Sequence, residues 1–258
     1  MARALITGGA KRLGRAMALH LAARGHDVAI HYHGSQAEAE ATVAELRALG
    51  VRAEALAADL LDEAATEALV PRAAEALGGP LDVLINNASI FEYDTIASAT
   101  RQSWERHFGS NLRAPFLLTQ AFAAQAPKAD RSGREPRAQA LIVNMVDQRV
   151  LKPTPEFMTY SLAKAALWSF TRTAAQALAP DIRVNAIGPG PTLQGARQSE
   201  SHFTRQRAAT ILQRGADPED ICAALGYLLE ARAVTGQLIC VDGGQHLGWK
   251  TPDVLGPE

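Results

Sequence analysis

The chain has 258 residues and a formal net charge of -1, from 26 lysine and arginine residues against 27 aspartate and glutamate residues. This balance argues against a nucleic acid as the main partner, because proteins that bind polyanions usually carry a basic excess. No apolar stretch of about 18 residues occurs, so no membrane partner is expected. With 47% hydrophobic and 21% charged residues, the composition is that of a globular domain rather than a disordered chain.

The cysteines and the first residues bear on compartment and metal binding. Cys222 and Cys240 form no C-x-x-C pair, so neither a zinc ribbon nor a dithiol redox motif is predicted. We expect two buried thiols, no metal site and a reducing, cytoplasmic location. The apolar run at residues 4–6 is too short for a signal peptide, and Gly8-Gly9 ends it.

Short apolar runs alternate with longer segments of helical period. Strands are predicted at residues 4–6, 28–30, 53–57, 81–85, 140–145, 182–186 and 238–241, and helices at 13–23, 36–49, 63–77 and 157–178, with another starting at 217–220. Such alternation predicts parallel βαβ units, and continuous apolar strands are typical of a sheet covered by helices on both faces. We therefore expect a single α/β domain over residues 1–258 with a doubly wound parallel sheet of about seven strands. The polar stretch at residues 127–137 is interpreted as a surface loop.

A glycine-rich turn joins the first strand to the first helix, at Thr7-Gly8-Gly9-Ala10-Lys11-Arg12-Leu13-Gly14. Glycine allows the backbone to approach a ligand closely, and a helix N-terminus offers unpaired N–H groups and the positive end of the helix dipole. A plain turn would have a similar composition, and the spacing is not G-x-G-x-x-G. Its position at the start of a βαβ series nevertheless favours a dinucleotide site.

The end of the second strand favours NADP(H) over NAD(H). An NAD site usually places Asp or Glu there, on the ribose 2′-hydroxyl, whereas residues 28–37 contain no carboxylate. A 2′-phosphate would meet His33 and Ser35 instead, with Arg12 close by in the turn. The alternative is that His31 and His33 are only surface residues at a strand end.

Tyr160 and Lys164 lie four residues apart, on one face of the long predicted helix. Asp147 follows a strand, and the C-terminal edge of a parallel sheet is where such folds bind ligands. A free tyrosine has a pKa of about 10. We expect the Lys164 ammonium to lower the pKa of Tyr160, which would then exchange protons more readily. A tyrosine beside an exposed lysine is the alternative interpretation of the pair alone.

These features together resemble the short-chain dehydrogenase/reductase family over nearly the whole chain, and the resemblance implies its Rossmann fold. The family pattern also includes Asp59-Leu60, Asn86-Asn87-Ala88, Asn111, Pro189-Gly190 and Val241-Asp242-Gly243-Gly244. The resemblance implies a catalytic set of Asn111, Asp147, Tyr160 and Lys164, in which Asn111 supports a proton-relay water. It implies cofactor contacts from Gly8, Lys11, Arg12, Leu13, Gly14, His33, Ser35, Asp59, Leu60, Asn87, Ala88, Ser89, Tyr160, Lys164, Pro189 and Gly190. The family's tetramers imply a homotetramer.

Three departures from the family pattern resemble the pteridine reductases, including the dihydromonapterin-type enzymes. Arg12 and Ser89 stand where the family usually has glycine, and Asp147 where it has serine. Phe91 matches the phenylalanine that stacks on the pterin in those enzymes, which is physically reasonable for a flat heterocycle; a core aromatic is the alternative. The implied substrate contacts are Arg12, Ser89, Phe91, Asp147 and Tyr160. Gly34 stands where those enzymes often have a phosphate-binding arginine.

The resemblance implies NADPH-dependent reduction of a dihydropterin to a tetrahydropterin with Tyr160 as proton donor, with oxidised pterin and dihydrofolate as further candidate substrates. The alternatives are an NADP-dependent carbonyl reductase of 3-oxoacyl thioesters, steroids or sugars, and a protein that binds NADP without turnover. The polar segment at residues 190–215 is expected to be mobile and to cover the substrate. The sequence leaves open whether the tail after Gly244 is frayed or packs at a subunit interface.

Overall fold

The computed structural model of the chain describes residues 2–195 and 198–250. The seven strands are β1 (Arg3–Ile6), β2 (Asp27–Tyr32), β3 (Ala53–Ala57), β4 (Val83–Asn86), β5 (Ala140–Met145), β6 (Ile182–Pro189) and β7 (Leu238–Val241). They pair in parallel in the order β3-β2-β1-β4-β5-β6-β7. The chain moves outward from β1 in both directions, and the switch between β1 and β4 creates the crevice in which such folds bind ligands.

Helices cover both faces of this sheet. They are α1 (Arg12–Ala23), α2 (Gln36–Ala48), α3 (Glu63–Glu67), α4 (Leu69–Leu77), α5 (Arg101–Phe108), α6 (Ala114–Gln125), α7 (Met158–Leu178), α8 (Glu200–Ala208) and α9 (Pro218–Glu230). One apolar core includes residues of α1, α2 and α9, and another includes residues of α4, α6 and α7. The doubly wound parallel sheet expected from the alternating pattern and the Rossmann fold implied by the family resemblance are confirmed.

Several predicted boundaries differ from the structure, and two of the differences have a clear local cause. The single helix expected at residues 63–77 is interrupted at Ala68. Pro71 has no N–H to donate to the carbonyl of Glu67, so the regular hydrogen-bond series cannot continue there. The fourth strand begins at Val83 rather than Leu81. The N–H of Leu81 donates to the side chain of Gln125, 2.6 Å away, instead of to the sheet.

A surface loop was expected at residues 127–137 and a mobile segment at 190–215, and the structure shows what forms there. In the 127–137 segment, Asp130 and Arg137 exchange two backbone hydrogen bonds, so this surface loop is closed on itself. The segment expected to cover the substrate (residues 190–215, the covering segment) contains α8. Its residues 196 and 197 lie outside the described chain, as does the end of the tail at 251–258. Among the described helices, none has the length and apolarity needed to cross a membrane.

Candidate active site

The glycine-rich turn (residues 7–14) is closed by contacts that leave no room for side chains. A Cβ on Gly14 would lie 2.1 Å from the carbonyl oxygen of Gly8, and one on Gly9 would lie 2.6 Å from the Ile30 side chain. Arg12 has a φ of 54°, in the left-handed region that favours glycine. This backbone conformation explains why glycine is the usual residue there, and Arg12 adopts it at a cost in strain.

His31 holds this turn against the sheet. Its Nδ1 accepts a hydrogen bond from the Gly8 N–H at 3.1 Å, and its Nε2 lies 3.1 Å from the Ala58 carbonyl oxygen, so the ring is neutral with its proton on Nε2. Burial lowers the pKa of His31 to about 4. The interpretation of His31 as a surface residue was therefore wrong, because β2 continues to Tyr32 and keeps its side chain inside.

The residues expected around the adenosine end lie together at the carboxyl ends of β2 and β3. His33 is exposed, with Nε2 4.0 Å from an Asp59 oxygen, and Ser35 precedes α2 without capping it through its side chain. The Lys11 ammonium forms an exposed ion pair with Glu38 at 3.3 Å. Glu38 directly follows the carboxylate-free residues 28–37, and it balances part of the positive charge expected from Lys11.

Hydrogen bonds to Thr7 connect the end of β4 to the glycine-rich turn. Its Oγ1 accepts hydrogen bonds from the N–H groups of Asn87 and Ala88, at 2.9 and 3.0 Å. The Asn87 amide donates to the carbonyl oxygens of Thr7 and Gly8. These neighbouring strand ends therefore form one rigid platform. On the platform, the first turn of α1 has no side-chain cap, so its N–H groups and the glycine cradle fit a phosphate.

Tyr160, Asp147 and Lys164 converge at the end of β5. The Tyr160 hydroxyl donates to Asp147 Oδ2 at 2.9 Å, and the Lys164 ammonium donates to the Met145 carbonyl oxygen at 2.7 Å. Tyr160 and Lys164 are nearly inaccessible to solvent. The second oxygen of Asp147 accepts from the Arg149 N–H at 2.8 Å. The three side chains meet as expected from their spacing.

Protonation at this cluster differs from the expectation. Burial, followed by the charge of Asp147, raises the pKa of Tyr160 well above its usual range, and burial also raises the pKa of Asp147. Burial lowers the pKa of Lys164 to about 8. The expected lowering of the Tyr160 pKa by Lys164 was wrong, because the ammonium is turned toward a backbone carbonyl while a carboxyl contacts the phenol. Tyr160 therefore keeps its proton at neutral pH.

Asn111 lies in a π-helical turn, Gly109–Arg113, between α5 and α6. Its side chain is fully buried and bonds the backbone of Ile90 twice, accepting from its N–H at 3.0 Å and donating to its carbonyl at 2.9 Å. The amide thus fixes the start of the 89–94 loop, the segment that follows β4 and carries Ser89 and Phe91. Such π-turns are frequent at functional sites.

Aromatic rings form the outer wall of the site. The ring of Phe91 stacks on that of Phe157 at 4.3 Å and meets Tyr160 edge-on at 4.7 Å. Tyr93 meets Phe157 edge-on at 5.2 Å. The Phe91 side chain is 43% exposed, so the alternative of a core aromatic was wrong. Phe157 and Tyr93 were missed by the sequence analysis, because an isolated aromatic residue in a loop has no periodicity to reveal its partners.

A buried polar network next to Tyr160 was also missed. Asp94 accepts a hydrogen bond from the Thr159 N–H at 3.1 Å and another from its hydroxyl, while His107 Nδ1 lies 2.7 Å from that hydroxyl. His107 Nε2 accepts from the Glu92 N–H at 3.1 Å. Burial opposes the charge of Asp94, but hydrogen bonds from Thr159 hold its pKa below the usual range. Asp94 therefore caps α7 from the 89–94 loop at Thr159, one residue before Tyr160 in that helix.

The covering segment contacts the glycine-rich turn through Arg12. The guanidinium of Arg12 donates to the carbonyl oxygens of Leu193 and Gln194, at 3.1 and 3.0 Å. Nearby, Gly190 follows β6, and a Cβ there would lie 2.5 Å from Asp242. Arg12 thus lies between the expected cofactor and substrate sides.

The sheet order, the glycine-rich turn and the Tyr160–Lys164 pair define a class of oxidoreductase. A family model described as enoyl-(acyl carrier protein) reductase matches residues 8–246. The chain therefore belongs to this family, within the short-chain dehydrogenases/reductases.

Similar proteins include one curated reductase and two solved structures whose names describe an activity. The 3-oxoacyl-[acyl-carrier-protein] reductase FabG of Staphylococcus aureus is 32% identical over 95% of this chain and 98% of that protein. FolM alternative dihydrofolate reductase 1 of Brucella suis, solved in complex with NADP, is 42% identical over 98% of both chains, with a TM-score of 0.91. Its counterpart from Brucella canis, also with NADP, is 40% identical over 99% of this chain and 98% of that chain, with a TM-score of 0.89.

Proposed function

We propose that the protein is an NADPH-dependent reductase of pterins that converts a dihydropterin to a tetrahydropterin. The observation that carries the proposal is the 2.9 Å hydrogen bond between the Tyr160 hydroxyl and the Asp147 carboxyl, with the Phe91 ring 4.7 Å from the tyrosine ring. A flat heterocycle and a ring nitrogen that must be protonated suit an aromatic wall beside two acidic groups. The NADP-bound FolM neighbours support the same assignment.

The residues around the glycine-rich turn fit a dinucleotide. Its cradle and the uncapped first turn of α1 would hold the pyrophosphate, and Asp59, Asn87 and Ala88 would contact the adenosine and ribose groups. The absence of a carboxylate from residues 28–37 favours the 2′-phosphate of NADP(H). When bound, NADPH supplies the hydride.

The protein's own residues supply the proton. Tyr160 keeps its hydroxyl proton at neutral pH and donates it to the substrate atom next to the reduced carbon. Asp147 accepts a hydrogen bond from the Tyr160 hydroxyl at 2.9 Å and positions it. Burial raises the pKa of Asp147, which favours its taking up a proton from solvent and passing it on in the reduction of an oxidised pterin. Lys164 stays near the phenol through its bond to Met145, and Asn111 fixes the loop that carries Ser89 and Phe91.

The second candidate is a 3-oxoacyl thioester reductase, which the FabG relatives favour. Purified protein should oxidise NADPH when a dihydropterin is the substrate. It should oxidise NADH much more slowly with the same substrate. Asp147→Ser, which restores the usual family residue, should lower pterin turnover and leave NADPH binding intact. Activity with an acetoacetyl thioester but none with dihydropterins would overturn the pterin assignment in favour of the second candidate.

A further inference from the structure

Arg149 lies beside the aromatic wall without a charged partner. Its guanidinium carbon is 5.0 Å from the Phe157 ring centroid and 5.9 Å from that of Phe91. Its only side-chain hydrogen bond within the described residues is to the Thr154 hydroxyl, at 2.9 Å. No described carboxylate forms an ion pair with it. A guanidinium has five N–H donors in a planar fork, so most of its donor capacity is not used by protein side chains.

The carboxyl group of Asp147 is influenced by the charge of Arg149 but makes its hydrogen bonds to other groups. Asp147 accepts from the Arg149 backbone N–H and from Tyr160, rather than from the guanidinium. The residue that the guanidinium contacts, Thr154, donates in turn to the Glu156 backbone carbonyl. Lys152 adds a second cation on the same connection, with its ammonium 3.4 Å from the Gln245 carbonyl oxygen.

A planar donor fork beside an aromatic surface matches one kind of ligand group. Arginine recognises carboxylates through two parallel hydrogen bonds, and desolvation by neighbouring rings strengthens such contacts. A substrate ring held against Phe91 would lie near this guanidinium, whose carbon is 5.9 Å from the Phe91 ring centroid. The substituent of the pterin, rather than the ring that is reduced, would then reach Arg149.

We infer that Arg149 forms a carboxylate subsite that selects dihydropterins with an anionic tail, such as dihydrofolate, over dihydropterins with an uncharged side chain. This inference rests on the proposed function and assigns a residue to the recognition of the tail. Arg149 is the specificity-determining group, and Lys152 adds a longer-range attraction. The subsite is separate from the Tyr160–Asp147 pair that delivers protons.

Steady-state kinetics with two substrates test the subsite. In Arg149→Gln, the KM for dihydrofolate should rise about tenfold, as expected for loss of a charge-assisted contact, while the KM for dihydrobiopterin, whose side chain is uncharged, should change less than about twofold. Arg149→Lys keeps the charge but not the planar donor fork, so its KM for dihydrofolate should lie between those of the wild type and Arg149→Gln. Arg134→Gln makes the same change in the exposed loop before β5, at the opposite edge of the sheet, and should alter neither KM.

The ratio of the two KM values separates this role from an electrostatic effect on Asp147. An effect that acts through the Asp147 carboxyl would change the KM values of both substrates by the same factor. An equal rise in both KM values therefore overturns the subsite. Raising the ionic strength should increase the wild-type KM for dihydrofolate alone, which tests the contact without a variant. A wild-type protein that reduces both substrates with no salt dependence of either KM also overturns it. Failure to reduce either substrate instead overturns the proposed function, and the subsite with it.

Discussion

The glycine-rich turn and the 89–94 loop both lie at the carboxyl edge of the sheet, but different contacts hold them. The turn is fixed mainly through its backbone. Its glycines leave no space for a Cβ, the Gly8 N–H donates to His31, and the carbonyls of Thr7 and Gly8 accept from the Asn87 side chain. The loop is fixed by buried side chains from other elements, Asn111 and the Asp94–Thr159–His107 network. We expect the turn to be disrupted by substitutions that add a side chain, and the loop by substitutions that remove a buried hydrogen-bond partner.

The largest effect should come from Tyr160, which lies in α7 beside the 89–94 loop. Tyr160→Phe removes the proposed proton donor and should lower kcat by about 100-fold or more, with a much smaller effect on NADPH affinity. Turnover and equilibrium binding of NADPH, measured on the same preparation, check both parts. Unchanged turnover would mean that another group donates the proton.

The second-largest effect should come from steric crowding in the glycine-rich turn. Gly14→Ala places a methyl group 2.1 Å from the Gly8 carbonyl oxygen and should weaken NADPH binding or the fold by about 3 kcal/mol. Gly34→Ala is the matched control, because nothing lies within 4 Å of its Cβ position. Titration of NADPH fluorescence and thermal unfolding measure the two effects. Equal behaviour of the two variants would contradict the steric account of the turn.

The His31 contact makes the turn sensitive to acid. Its pKa is lowered to about 4 in the folded protein from a usual value of 6.5, so the unfolded chain binds the extra proton more readily between these values. The free energy of unfolding should therefore fall as the pH drops through this window, by at most about 3 kcal/mol. Urea unfolding across this pH range measures the slope. His31→Asn should remove this contribution, whereas the exposed His33→Asn should retain it.

The smallest effect should come from the cap of α7. Asp94→Ala leaves the Thr159 N–H and hydroxyl without their acceptor and should cost about 1–3 kcal/mol of stability, because both groups are buried. Asp62→Ala removes an exposed helix cap on α3 and should cost about 1 kcal/mol. Chemical unfolding of both variants makes the comparison. A smaller cost for Asp94→Ala than for Asp62→Ala would show that the loop does not depend on its buried network.

The same contrast explains how far the sequence could be interpreted. The parallel, doubly wound sheet and the turn follow from apolar periodicity and glycine positions, which are local patterns, and the family resemblance implied the Rossmann fold. The convergence of Tyr160, Asp147 and Lys164 followed from helical spacing and a strand end. The directions of their pKa shifts could not, because they depend on burial and on which neighbour each side chain contacts. Phe157, Arg149 and Asp94 are separated in sequence from their partners by connections without periodic pattern.

The contact of Arg12 with the carbonyls of Leu193 and Gln194 has a thermodynamic consequence. A ligand that takes this guanidinium must first replace two hydrogen bonds to the covering segment, which offsets part of its binding free energy. Linkage makes the effect reciprocal: whatever weakens the segment's hold on Arg12 favours the ligand, and the bound ligand weakens that hold by the same factor. One arginine thus sets a competition between an internal partner, 181 and 182 residues away in sequence, and an external one.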